Sequence, residues 1–364
     1  MNSEDIFRIA QEYADVMVVY KRRIRFTFVL STLSSFLAVY LVLNYTPHRA
    51  HGYRKYLLGM IAWAFVLDFI VCVVYVPQLL LPVVGLCVGG IFENSHSVTA
   101  LIALLCIFVF AMTGTAISII TAFIYRLVVV KTGDDISRYP CLIVLIITAH
   151  IMGPAMICGP MVFAVLYDVD AIKEEVKILY PGVYLYAENR TCSFMSRSTP
   201  SYATYLFLMM IALALLTAAL LAFGCAICIF RSINRFRKTM SSRTYEMHKQ
   251  LTKSLIVQFS IPFTFLAMPL SILLYYMTTQ KDGVLLKTLC VVIFELISLH
   301  STFNAISMIM MTKPYRDFVL NQCLKLAVAF PGSWSITQSL AKPKVDDVIN
   351  RRPSTHTFRQ QNSN

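Results

Sequence analysis

Seven stretches of the chain are too long and too apolar to belong to a water-soluble fold. They run at roughly 26–45, 56–78, 98–125, 141–166, 203–230, 254–277 and 285–311. Each is long enough, as a helix, to cross a hydrocarbon core of about 30 Å. Inside hydrocarbon a spanning segment must satisfy its own backbone hydrogen bonds, and a helix does so within itself. The fold expected is an all-α membrane protein, a seven-transmembrane helix bundle. Its Gly and Pro residues (Gly114, Gly153, Pro154, Pro160, Pro262, Pro269) are tolerated where neighbouring helices re-satisfy the backbone. Charged residues make up 14% of the chain, against about a quarter in soluble domains. The net charge of +13 does not point to nucleic acid, because the basic residues sit in short loops between apolar runs. There they act as topology signals beside the lipid bilayer.

The organisation expected is an N-terminal extracellular segment (1–25), the bundle (26–311), a juxtamembrane amphipathic helix (312–330) and a disordered cytoplasmic tail (331–364). Ile6, Ile9, Tyr13, Val16, Met17 and Tyr20 share a helical face opposite Arg8, Gln11, Glu12 and Asp15, so 6–20 reads as an interfacial extension of the first span. The acidic residues among the first 25 argue against a cleavable leader, so the first span is expected to insert by itself.

Lysine and arginine counts set the orientation. The loops following even-numbered spans hold few, and the two sides total 21 and 10 when the tail is placed with the richer side. This predicts an outside N-terminus and an inside C-terminus. Lys21, Arg22, Arg23 and Arg25 pull the other way, since alone they would hold the N-terminus in the cytosol. The sequon Asn189-Arg190-Thr191 falls in a loop the count makes extracellular, so Asn189 is a candidate glycosylation site. A second sequon, Asn44-Tyr45-Thr46, sits at a membrane boundary before Pro47 and is expected to stay unused. Of ten cysteines, only Cys87 and Cys192 fall in loops assigned outside, where an oxidising compartment permits a disulfide; two free thiols are the alternative.

The spans carry polar groups that hydrocarbon penalises. Asp68 lies at the middle of the second span, and His300, Ser301 and Asn304 lie in the seventh. They are expected to form a polar cluster between these helices, either repacking on activation or serving as a static brace. Glu295, with Tyr275 and Met277, is the candidate ligand contact toward the outer end; an ion pair of Glu295 with Lys287 is the competing reading. After residue 312, Val319, Cys323, Leu326 and Phe330 share a face, and Cys323 is a candidate palmitoylation site. No phosphate loop, metal-binding helix motif or nucleophile elbow occurs, so neither enzyme activity, nor a cofactor, nor a metal is expected. Cys225 and Cys228 spell C-x-x-C, but inside the fifth span they read as packing.

Thr46-Pro47, Tyr53-Arg54-Lys55-Tyr56-Leu57-Leu58, Asp68, His300-Ser301-Thr302 and Pro314-Tyr315-Arg316, in that order, resemble the nematode serpentine chemoreceptors, especially class H, class I and STR-like members. The resemblance covers roughly residues 20–325. It implies a G-protein-coupled chemosensory receptor for a small external molecule, in the plasma membrane of a sensory neuron, and of its cilium. It implies that Arg126 and the basic residues Arg235, Arg237 and Lys238 face a heterotrimeric G protein; a snorkelling interfacial Arg126 and a topogenic loop are the plainer readings. The chain departs from rhodopsin-like receptors. No acid precedes Arg126, Asn304 is followed by Ala305 rather than proline, and no tryptophan precedes Pro269. The rival class is a seven-span ligand-gated channel of inverted topology, or a small transporter, supported by the 21–25 cluster.

Overall fold

A computed structural model describes residues 2–46, 51–80, 83–195, 201–238, 241–279 and 284–329. Residues 1–315 form one compact unit, and the chain from Arg316 belongs to a second. Among the described residues seven helices are long and apolar enough to cross a membrane. They arise from α1 (Ser3–Tyr45), α2 (His51–Phe69), α3 (Val98–Thr132), α4 (Pro140–Leu166), α7 (Tyr202–Arg235), the pair α8 (Ser242–Pro262) and α9 (Met268–Thr279), and α10 (Val284–Met311). Short helices α5 (Val169–Leu179) and α6 (Pro181–Ala187) join α4 to the fifth span, and α11 (Lys313–Ala329) follows the seventh. The tail read as disordered lies outside the described residues from 330 onward.

Helix α1 departs most from expectation. Residues 6–20 do not bend away along an interface but continue the first span as one helix of 43 residues. At 1.5 Å per residue it is about 64 Å long, roughly twice the hydrocarbon core. Its buried residues Met17, Tyr20, Ile24, Ser31, Ser35, Ala38 and Leu41 recur at three, four or seven, which is one unbroken stripe. The lower part of the stripe packs on α2 and α10, and the N-terminal part leans on α6. The approach to α6 is close: a Cβ at Gly182 would stand 2.9 Å from Ile9 Cβ. Tyr13 and Tyr186 meet there with ring centroids 5.8 Å apart.

Two spans are interrupted by wide π-turns. The second ends in one, Ile70–Val74, and does not run helical to 78. Pro77 has no N–H to continue a helix, and Val76 turns into the left-handed region at φ 43°. Gly90 makes room for that turn, since a Cβ there would strike the carbonyl of Val74. In the sixth span a π-turn at Phe263–Ala267 follows Pro262, which likewise withholds a backbone donor.

Beyond the second span the chain forms a three-stranded antiparallel sheet that sequence reading did not anticipate. Strands β1 (Pro77–Leu80), β2 (Val84–Val88) and β3 (Cys192–Met195) lie in the order β1-β2-β3. Their register sets Leu79, Leu86 and Ser193 in one cross-strand row, and Gln78, Cys87 and Cys192 in the next. Side chains alternate faces along a strand, so these rows point to opposite sides. Cys87 and Cys192 are joined as a disulfide, which ties the approach to α3 to the loop after α4.

Candidate functional site

Beneath the sheet lies a cavity of about 250 Å³. Its walls are Leu105, Phe108, Val109 and Met112 of α3, Ile157 and Met161 of α4, Phe207 and Ile211 of α7, Leu266 and Leu270 of the sixth span, and Phe294 of α10. The row Leu79–Leu86–Ser193 forms its roof. Among the described residues its lining includes no ionisable side chain, and the hydroxyls of Thr113 and Ser193 are its side-chain polar groups. Thr113 donates to the carbonyl of Val109 at 2.8 Å, which leaves its oxygen lone pairs free to accept. Such a space suits an uncharged, mainly apolar molecule of about eight non-hydrogen atoms, taking liquid packing near 30 Å³ per small unit.

Neither Glu295 nor Tyr275, singled out as ligand contacts, lines this cavity. Phe294 does, and its neighbour Glu295 is turned about 100° away around the helix. Glu295 instead faces α1, where its Oε1 lies 3.5 Å from Arg23 Nη1. Arg23 is thus one partner of Glu295, and the pairing with Lys287 falls on a side chain outside the described residues. Tyr275 is 54% exposed on α9, and the Met277 side chain also lies outside the described residues.

The roof is held from the far side of the sheet. Tyr186 Oη donates to Gln78 Oε1 at 3.0 Å, and burial pushes the Tyr186 hydroxyl up to about 12, so it stays protonated as the donor. Tyr20 Oη donates to the carbonyl of Pro77 at 3.0 Å. Glu93 receives Lys21 at 2.5 Å and Arg190 as a second cation. Arg190 also lies 4.3 Å above the Tyr186 ring. Two of the cations that opposed the charge count, Lys21 and Arg23, are thus each matched to a carboxylate within the bundle end that carries the sheet. In the sequon, Asn189 is exposed, whereas Thr191 is buried and donates to the carbonyl of Phe92 at 2.8 Å.

In the middle of the bundle Asp68 is fully buried. Ser31 of α1 and Ser301 of α10 both donate to its Oδ2. His300 Nδ1 lies 3.4 Å from Oδ1 and 2.6 Å from the carbonyl of Ile297. Ser31 was missed by sequence reading, although Thr27, Ser31 and Ser35 repeat at four-residue spacing along one face of α1. Asn304 does not reach Asp68. It lines a space of about 10 Å³ with Ser35, Gln258 and Ser301.

At the end away from the sheet, Arg126 is 3% exposed, which rules out the snorkelling arrangement in this conformation. Its guanidinium carbon lies 4.5 Å from the centroid of the Tyr53 ring, and Tyr56 stacks on Tyr125 at 4.3 Å. Lys55 reaches Asp135 at 3.3 Å; the backbone N–H of Ser137, aided by Lys55, holds the Asp135 carboxyl below its usual range. Thr46 and Tyr315 join hydroxyls at 2.7 Å. Thr46, Tyr53, Lys55, Tyr56 and Tyr315, from three of the short motifs, therefore converge on this end. Arg235, Arg237 and Lys238 are exposed just beyond α7. Of the C-x-x-C pair, Cys225 is half-buried, and Cys228 is exposed rather than packed inside. Cys323 is exposed on α11. Among the described residues no cluster of metal ligands occurs.

Comparison with known proteins follows the same outline. The sequence profile described as serpentine type 7TM GPCR chemoreceptor Srh matches residues 18–325. No curated protein matches. Squid rhodopsin is structurally similar, with a TM-score of 0.58 at 10% identity, over 91% of this chain and 92% of that one. At that identity the likeness concerns the fold alone.

Proposed function

The chain belongs to the Srh family of serpentine seven-transmembrane chemoreceptors, and on that premise we propose that it detects a small, uncharged, mainly apolar external molecule and activates a heterotrimeric G protein. The observation that carries the ligand class is the roofed cavity, which offers apolar walls, two hydroxyls and no charge. In this reading the N-terminus and the sheet lie outside the plasma membrane, in a sensory cilium, with Asn189 glycosylated and the tail inside. The loop charge count and the pairing of Lys21 and Arg23 support that orientation, and the same pairing weakens the case for an inverted channel.

Signalling would pass through the buried contacts of the bundle. A ligand shifts a receptor only through unequal affinity for its conformations. The cavity is walled partly by Leu266, within the π-turn between α8 and α9, and by Leu270 just after it, so a bound molecule bears on the segment best placed to move. Movement of α8 would uncover Arg126, which with the already exposed Arg235, Arg237 and Lys238 would meet an acidic or carbonyl-rich face of the G protein. Palmitoylation of Cys323 would anchor α11 to the bilayer.

The test is a G-protein reporter screen of uncharged compounds of that size in cells expressing the receptor, with Met161→Trp as the filled-cavity control. Responses abolished by Met161→Trp at unchanged surface level would support the reading. Responses confined to charged compounds, or untouched by the filled cavity, would overturn it. Ionic current without G-protein activation would favour the channel class.

A further inference from the structure

Taking the apolar cavity as the ligand site, we propose that the molecule reaches it sideways from the bilayer, between α7 and the sixth span, and not from water past the sheet.

The roof is the better-fastened side. Its cavity-facing row is continuous with a row locked by the Cys87–Cys192 disulfide and by the bond from Tyr186 to Gln78. Strand β1 is further tied to α1 through Tyr20. Opening that route means breaking a sheet ladder together with its buried hydrogen bonds, each of which leaves groups unsatisfied.

The side wall is thinner. Among the described residues the main contacts of α7 are with α3, α4 and α8, whereas those of α9 are with α10 and its own π-turn. Contact between α7 and the sixth span is made low down, where Phe223 meets Phe259 at 5.6 Å and Phe263 at 6.5 Å between ring centroids. Above that aromatic seal α7 offers the small residues Ala214 and Ala218 toward the cavity, with Leu270 as the bulkiest group opposite. Burial follows the same division. Met161 and Val165 on α4 are 2% exposed, while Ile211, Ala214 and Ala218 on α7 are only half-buried. The π-turn lies at the level of the gap, and such turns interrupt the hydrogen-bond ladder where a helix bends. An uncharged molecule concentrated in the bilayer would cross this wall without meeting a charge, and without rehydrating.

The experiment needs no identified ligand. Full-length receptor in lipid nanodiscs carries Ala116→Cys, a cavity position on α3, and is treated with the uncharged, membrane-permeant probe N-ethylmaleimide. Labelling is followed residue by residue by peptide mass spectrometry, with Thr113→Cys as the second cavity position should the first variant fail to fold. On the side-wall route, Leu270→Ala speeds labelling about tenfold and Ala214→Phe slows it about tenfold, the change from a shift of 1.4 kcal/mol in a barrier. Loosening the roof with Tyr186→Phe leaves the rate unchanged. If Tyr186→Phe speeds labelling and the wall variants do not, the route is wrong and the cavity reading stands. If neither cysteine is labelled at all, the cavity is unreachable, and both the route and the ligand-site reading fall.

Discussion

Ser31 and Ser301 stand 270 residues apart in the chain and 2.6 Å apart in the fold, and both hydroxyls address the same oxygen of Asp68. The first, second and seventh spans thus share a single buried acceptor. Removing either serine leaves the other in place. Removing the carboxyl orphans both.

For this reason Ser31→Ala and Ser301→Ala should each lower stability by about 1 kcal/mol, the scale of hydrogen bonds inside membranes. The double replacement should cost less than the sum, because the two groups contact one another. Asp68→Asn, which keeps an acceptor, should be milder than Asp68→Ala. Thermal unfolding of the five variants in detergent measures this. Strict additivity of the serine pair would show that the two hydroxyls do not act on one acceptor.

Among the described residues no carboxylate pairs with Arg126, which rests on the face of Tyr53. A desolvated cation–π contact is worth about 1–2 kcal/mol. Tyr53→Leu should therefore raise ligand-independent G-protein signalling by up to about tenfold, since 1.4 kcal/mol is a factor of ten in a population. Tyr53→Phe keeps the ring and should signal at the wild-type level. Equal basal signalling from the leucine and phenylalanine variants would remove the ring from the account.

Glu93 holds Lys21 and Arg190 together and so fastens the N-terminal part of α1 to the sheet end. Glu93→Gln keeps the shape and removes the charge, a loss of about 1–3 kcal/mol for hydrogen bonds to charged groups. Amide hydrogen exchange over residues 5–20 should rise about tenfold while exchange in α3 stays unchanged, because local opening is governed by local free energy. Unchanged exchange in that segment would mean α1 is held by Tyr13, Ile9 and Tyr186 without help from the charges.

The sequon offers a prediction in which two variants losing the same glycan behave differently. Asn189→Gln should remove the sugar and shift stability by no more than about 0.5 kcal/mol, as expected of an exposed position. Thr191→Ala should remove it too, but at a cost of about 1–3 kcal/mol, because the carbonyl of Phe92 and the N–H of His96 both lose the Thr191 hydroxyl. Gel mobility with and without endoglycosidase, alongside unfolding temperature, separates the two effects. A wild type whose mobility does not respond to endoglycosidase would place Asn189 out of reach of the lumenal machinery and overturn the proposed orientation.

What sequence reading reached was what repeats at helical spacing or stands out against hydrocarbon. Asp68, His300 and Ser301 are conspicuous because an unpaired charge in a span is so costly that a partner must exist. The disulfide-forming pair is conspicuous because its two thiols alone fall in loops on the same side. Ser31 went unnoticed because a serine in a span is cheap enough to need no partner. The sheet went unread for a different reason: residues 77–88 are nearly all apolar, and over so short a run apolarity does not separate a strand from the end of a span. The cavity was hidden by geometry of the next order. It is made of ordinary leucines, phenylalanines and methionines from five spans, and no single one of them announces a site. Glu295 drew attention by its charge, yet that charge faces Arg23 across the helix boundary, one residue and about 100° from the cavity wall.

The two-faced sheet has a bearing on how receptors of this build can diversify. Leu79, Leu86 and Ser193 touch the space below, whereas Gln78, Cys87 and Cys192 fasten the fold above, and strand alternation keeps the two sets from interfering. A lineage of duplicated genes could exchange residues at the first three positions, one mutation at a time, and sample new chemical preferences without putting the fastening at risk. Inheritance of the fold and invention of specificity would then proceed on alternate residues of the same short strands.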